Sequence, residues 1–282
     1  MLPINLDTNL AKKLDLGMRA GDVVDLPFPV VYVWALNGQA SYKAQGGAPY
    51  FGGWACKADE LHAVSEQQGL ALPQEWKLTT ISSRDGGEFE AFTSRQAIVA
   101  PIGKRESWLH DGKRSAEYLE GGRRHLQVLA YLAEPQGKNG SRHYVPWGPV
   151  VLTAKGYQAR NLLDAFIKWD KATSQIRRKV APGVPAWCFY LALGTFEKER
   201  HAVNVGKPGA QSPITPISAY IPERFTEELI TSLFVGNEVA TLMSDLQDQA
   251  ADWLKAWQMA APIAEPEEYP ENNYPIEEEI PF

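Results

Sequence analysis

Cysteine is scarce in this sequence. Cys56 and Cys188 are the only two among 282 residues, and each stands alone. No Cys-x-x-Cys pair and no Cys/His ligand spacing occurs, so no structural metal site is expected. A disulfide framework is not expected either, which suits a reducing compartment. Long apolar runs are missing too, and none approaches the ~18 residues of a membrane span. The opening stretch MLPINLDTNLAKKLDLG carries charges every few residues and no apolar h-region, so it does not read as a secretory signal. A cytoplasmic protein without a membrane partner is the expectation. No internal repeat is found. Walker A, Gly-x-Gly-x-x-Gly and Gly-x-Ser-x-Gly patterns are absent, which argues against an ATP-driven helicase or recombinase and against a serine hydrolase.

The hydrophobic content of 44% and aromatic content of 11% exclude a wholly disordered chain. The length suits one large domain or two small ones. The formal net charge of −6 argues, at face value, against a nucleic-acid partner. Its distribution argues the other way. Residues 95–207 carry 19 basic and 9 acidic side chains, net +10, and four of the five histidines. Residues 262–282 carry seven Glu and no Lys or Arg, net −7. Such asymmetry points to a polyanion site combined with an acidic tail.

Pro29 to Leu36 reads as an apolar strand ended by Asn37-Gly38. Gly46 to Trp54 (GGAPYFGGW) reads as a loop, either an aromatic contact or a packed cover. Asp59 to Gln68 suits a short helix. Glu88 to Ile102 reads as a long strand, Gly103 to Gly122 as a polar loop, and Arg123 to Ala133 as an alternating strand. That alternation puts Leu126, Val128, Ala130 and Leu132 on one face and Arg123, His125, Gln127, Leu129 and Tyr131 on the other. Tyr144 to Thr153 is a third strand, and its Pro146 and Pro149 suggest an edge or a bulge. Gly156 to Val180 has a helical apolar stripe, stopped by APGVP. Trp187 to Phe196 and His201 to Val205 read as fourth and fifth strands.

Three strands, a helix and two strands is the order of the OB-fold, a five-stranded barrel that holds oligonucleotides on its second and third strands and two flanking loops. The expected architecture is mainly β with helices. An N-terminal extension over 1–87 would pack on an OB-like core over 88–207. A connector and helices over 208–258 would follow, and then a disordered acidic tail over 259–282. The helices are expected over Phe225–Val235 and Glu238–Gln258, with Asn237 as an N-cap. They would pack on the barrel, and a dimer-forming helix is the alternative.

The tail reads PIAEPEEYPENNYPIEEEIPF. Its Glu277-Glu278-Glu279-Ile280-Pro281-Phe282 resembles the C-terminal tip of bacterial single-stranded DNA-binding proteins, with Glu where that family usually has Asp. The resemblance covers only these six residues and the tail's general character. It implies that Ile280, Pro281 and Phe282 dock on replication, recombination and repair enzymes. Glu277, Glu278 and Glu279 would steer the tip and compete with DNA for the protein's own basic groove. The usual bacterial protein is shorter, and a divergent phage or mobile-element single-strand binder would fit the length.

Binding single strands without sequence preference needs a cationic groove and aromatic platforms for unstacked bases. The phosphate contacts expected are Lys104, Arg105, Lys113, Arg114, Arg123, Arg124, Arg142, Lys198 and Arg200, joined by His125. The aromatic candidates are Trp108, Tyr118, Tyr131, Tyr144, Trp147, Trp187 and Tyr190, with Tyr131, Trp147 and Trp108 placed first. No catalytic residue, cofactor or metal is expected. A recombination mediator or strand-annealing protein is one alternative. A metal-dependent nuclease using His110, Asp111, His125, Glu88, Glu90 or Glu106 is another, although the spacing matches no known motif. An adaptor that uses only its tail would leave the basic block without a purpose.

Overall fold

A computed structural model of the chain describes residues 25–37, 52–82, 87–110, 113–136, 143–196, 203–206 and 212–257. The strands are β1 (Val31–Leu36), β2 (Gly53–Lys57), β3 (Lys77–Ser82), β4 (Glu88–Ser94), β5 (Gln96–His110), β6 (Lys113–Ser115), β7 (Arg123–Gln136), β8 (His143–Lys155), β9 (Leu191–Gly194), β10 (Val203–Val205), β11 (Ser212–Ile214) and β12 (Ser218–Ala219). The α-helices are α1 (Ala58–Gln68), α2 (Gly156–Val180), α3 (Glu227–Ser232), α4 (Asn237–Gln249) and α5 (Ala251–Ala256). The fold is mainly β with a few helices.

Nine strands follow one path, β12-β9-β5-β7-β8-β1-β2-β4-β3, with β6 paired to β5 beside it. All pairings are antiparallel except β1 with β8, so the sheet is mixed. It curls into a half-barrel. The curl has a local cause. β4 and β5 are one run of chain broken only at Arg95, yet β4 pairs with β2 while β5 pairs with β7 and β9. The bend brings β2 to β9, and the Trp54 indole N–H donates to the Leu193 carbonyl at 2.8 Å. A Cβ on Gly194 would stand 2.1 Å from the Arg95 carbonyl oxygen, so only glycine fits this corner.

The core lies on both faces of the central strands. Leu126, Val128 and Ala130 on one side of β7, and His125, Gln127 and Leu129 on the other, are all buried. α2 packs on β7 and β8, while α4 and α5 pack on β5. Arg177, Arg178 and Lys179 end α2, where cations suit the helix dipole. The Thr226 hydroxyl accepts from the Leu229 N–H and starts α3. No helix among the described residues is long and apolar enough to cross a membrane.

Several expectations need correction. The polar loop expected from Gly103 is strand as far as His110, because the β7 ladder supplies the pairing that the local pattern does not advertise. β8 lies between β7 and β1 rather than at an edge, and the bulge alternative holds, since its register with β7 shifts between Gly148 and Pro146. Its β1 register begins at Val150, so Pro146 and Pro149 precede the doubly paired half. The fifth strand leaves the main sheet: β10 pairs with β11 in a separate hairpin, and β1 takes the place beside β8. The residues expected as an N-terminal extension contribute β1, β2 and β3 to the main sheet. Trp187 falls in a 3-10 turn, Ala186–Cys188, ahead of the short β9. Asn237 begins α4 and Gly236 is its cap, while Ala250 divides α4 from α5.

Candidate nucleic-acid interface

Six cations of the basic block, Lys104, Arg105, Lys113, Arg114, Arg123 and Arg124, lie on β5, β6 and β7, and six others lie on α2. The β5–β7 register places Arg105 opposite Gln127, Ser107 opposite His125, and Trp108 opposite Arg124. Strand alternation then sorts them onto two faces. Arg105, Ser107, His125 and Gln127 share one, and Lys104, Glu106, Trp108 and Arg124 share the other.

The first face is covered by α5 and the turn after it. The Arg105 guanidinium lies 3.9 Å from the centre of the Trp253 ring and 4.3 Å from that of Trp257. Arg105 also donates to Gln127 Oε1 at 2.8 Å and to the Trp253 carbonyl at 3.3 Å. Arg114, on β6, lies 3.9 Å from the Trp257 ring and donates to Ser107 Oγ at 2.6 Å. The His125 ring is 4.7 Å from Trp257 and only 2% exposed. The Arg105 and Arg114 contacts are cation–π contacts, and that of Arg114 is buried, the setting in which such contacts are strongest; His125 meets Trp257 as a tilted ring pair. Below them Tyr32 is buried enough to push its phenol up, against the opposing pull of Arg105.

The second face is open in part, at Lys104 and beside the Tyr118 loop, while Glu106, Trp108 and Arg124 are partly buried. Lys104 is 57% exposed and lies 3.4 Å from Glu106, which also pairs with Arg124 at 3.1 Å. The Arg124 guanidinium stands 5.2 Å from the centre of the Trp108 ring. Tyr118 meets Trp108 edge-on at 4.9 Å and is 52% exposed. Its loop is pinned at the base. His110 Nδ1 donates to the Gly121 carbonyl at 3.0 Å, and the Gly122 N–H donates to the Leu119 carbonyl at 2.8 Å.

Other expected site residues lie elsewhere. Arg123, opposite Leu109, is partly buried at the start of β7. Tyr131 is six residues beyond His125, roughly 20 Å along the strand, and burial pushes its phenol up. Tyr144 is partly buried with its ring 5.9 Å from Tyr190. Trp147 is 6% exposed, and its indole N–H donates to the Ala71 carbonyl at 2.9 Å, so its ring is packed in the core. Lys113 has its backbone on β6. The Lys113 side chain, and Arg142, Lys198, Arg200, Glu277, Glu278, Glu279, Ile280, Pro281 and Phe282, lie outside the described residues, as does the loop before Gly52. Among the described residues no group of three or more His, Cys, Asp or Glu is placed to hold a metal ion.

The helical spacing of Trp253 and Trp257 reads as ordinary core and carries no functional signal. The pairing of Glu106 with Lys104 carried a signal, an acidic residue two positions from a lysine on one strand face. Comparison with protein-family models, curated proteins and solved structures finds no match.

Proposed function

We propose that this chain binds single-stranded DNA without sequence preference and serves replication, recombination or repair. The observation that carries the reading is the mixing of cations and aromatic rings on the open face of β5 and β7. Lys104 and Arg124 can follow phosphates, while Trp108 and Tyr118 offer rings to unstacked bases. The net charge of +10 over residues 95–207 favours the same partner. Strands β5, β7 and β8 followed by α2 keep the chain order of an OB-like barrel, so we read the half-barrel as a variant of that fold in which β1 replaces the fifth strand. In this reading Glu277 to Phe282 recruit partner enzymes, and no catalytic step is assigned.

A competition assay tests the function. Oligo-dT and mixed-sequence single strands should displace a labelled oligo-dT equally well, and a duplex of the same length should displace it poorly. Equal competition by duplex contradicts single-strand binding. Magnesium-dependent loss of the oligonucleotide would mean a nuclease, and faster pairing of complementary strands would mean an annealing protein. A chain lacking residues 274–282 should bind oligo-dT as well as the full chain or better.

A further inference from the structure

We infer that α5 is a displaceable cover on the cationic face of β5 and β7, a proposal that rests on the single-strand reading above. Single strands and the Trp253–Trp257 pair compete for the same guanidinium groups. Arg105 lies against both indoles and Arg114 against Trp257. Guanidinium planes stack on nucleobases by the same chemistry, so α5 presents two aromatic rings where unstacked bases would sit.

α5 is short, and its release uncovers Trp253, 1% exposed when docked. The helix has six residues and is separated from α4 by Ala250. α4 has its own anchor, Gln247 Nε2 donating to the Ile102 carbonyl at 3.1 Å, and can stay in place while α5 leaves. The seat of α5 is Gly103, where a Cβ would stand 2.8 Å from the nearest Leu254 methyl. Undocking exposes Arg105 and Arg114 on the face of β5 and β7 opposite Lys104 and Arg124. It therefore opens a second cationic surface to the strand. This competitor is aromatic, and it is separate from the glutamates of residues 262–282.

Hydrogen–deuterium exchange on the full chain, with and without saturating oligo-dT, tests the cover. Amides of residues 251–257 should lose protection on binding while those of 237–249 keep it. A closed fraction lowers apparent affinity in proportion, so Trp257→Ala should bind oligo-dT about three- to tenfold tighter. Gly103→Val should do the same by unseating Leu254 while leaving every cation in place. Circular dichroism checks that each variant folds, and wild-type exchange with Gly103→Val decides if Trp257→Ala does not. Undiminished protection of 251–257 in the complex, or folded variants binding no tighter than wild type, overturns the cover. Binding by the variants but not by wild type supports it. No binding by any of them overturns the single-strand reading as well.

Discussion

Glu106 Oε1 lies 3.1 Å from Arg124 Nε, and the other oxygen of the same carboxylate lies 3.4 Å from Lys104 Nζ. One acidic side chain thus engages two of the cations on the open face. A phosphate must displace it to reach either. Glu106→Gln should bind oligo-dT more tightly. Its plot of log K against log salt should steepen by about 0.7–1.4, the increment for one or two further phosphate contacts on a single strand. An unchanged slope would mean that neither cation meets a phosphate.

Trp108 and Tyr118 should carry base stacking. Trp108→Ala and Tyr118→Ala should each weaken oligo-dT binding by about 1–3 kcal/mol, roughly 5- to 150-fold. The same variants should bind an abasic strand of equal length almost as well as wild type does. Equal losses on both strands would place these rings against the sugar-phosphate backbone instead.

Trp147 should matter for stability rather than for binding. Trp147→Ala removes a buried ring and orphans the Ala71 carbonyl, a loss of about 3–5 kcal/mol. Thermal or urea unfolding should show this, with oligo-dT affinity unchanged wherever the variant remains folded. A lost affinity at unchanged stability would restore the stacking role expected for this residue.

Tyr190 predicts a pH effect. Its hydroxyl is buried and finds no hydrogen-bond partner among the described residues. Burial, with a smaller contribution from Tyr131, pushes its phenol well above the ordinary range. A phenol raised in the folded state adds stability below its unfolded pKa of about 10, and that stability is lost as pH rises through the folded value. Alkaline unfolding should therefore set in above about pH 10. Tyr190→Phe should shift that onset upward. At neutral pH it should stabilise the chain by about 1 kcal/mol, because an unsatisfied hydroxyl is removed. Urea unfolding at the two pH values checks both expectations.

The regular elements were legible where period and punctuation agree. β1, α1, β7 and α2 fall close to where their apolar patterns place them. What stayed hidden depends on contacts distant in sequence. The second half of β5 carries Lys104, Arg105, Glu106 and Ser107, a polar run that only pairing with β7 makes a strand. Parity correctly put Arg123, His125 and Gln127 on one face of β7. It could not show that Trp253 and Trp257, more than a hundred residues later, would cover that face. Trp147 and Trp108 look alike in sequence. One is packed in the core and the other lies beside an exposed tyrosine.

Single-strand binding is decided by fluorescence anisotropy of a labelled oligo-dT titrated with the full chain over a range of salt concentrations. Binding should be tight at low salt and weaken steeply, with a log–log slope of about −2 to −3.5 for three to five phosphate contacts. No binding at low salt, or binding indifferent to salt, would contradict it.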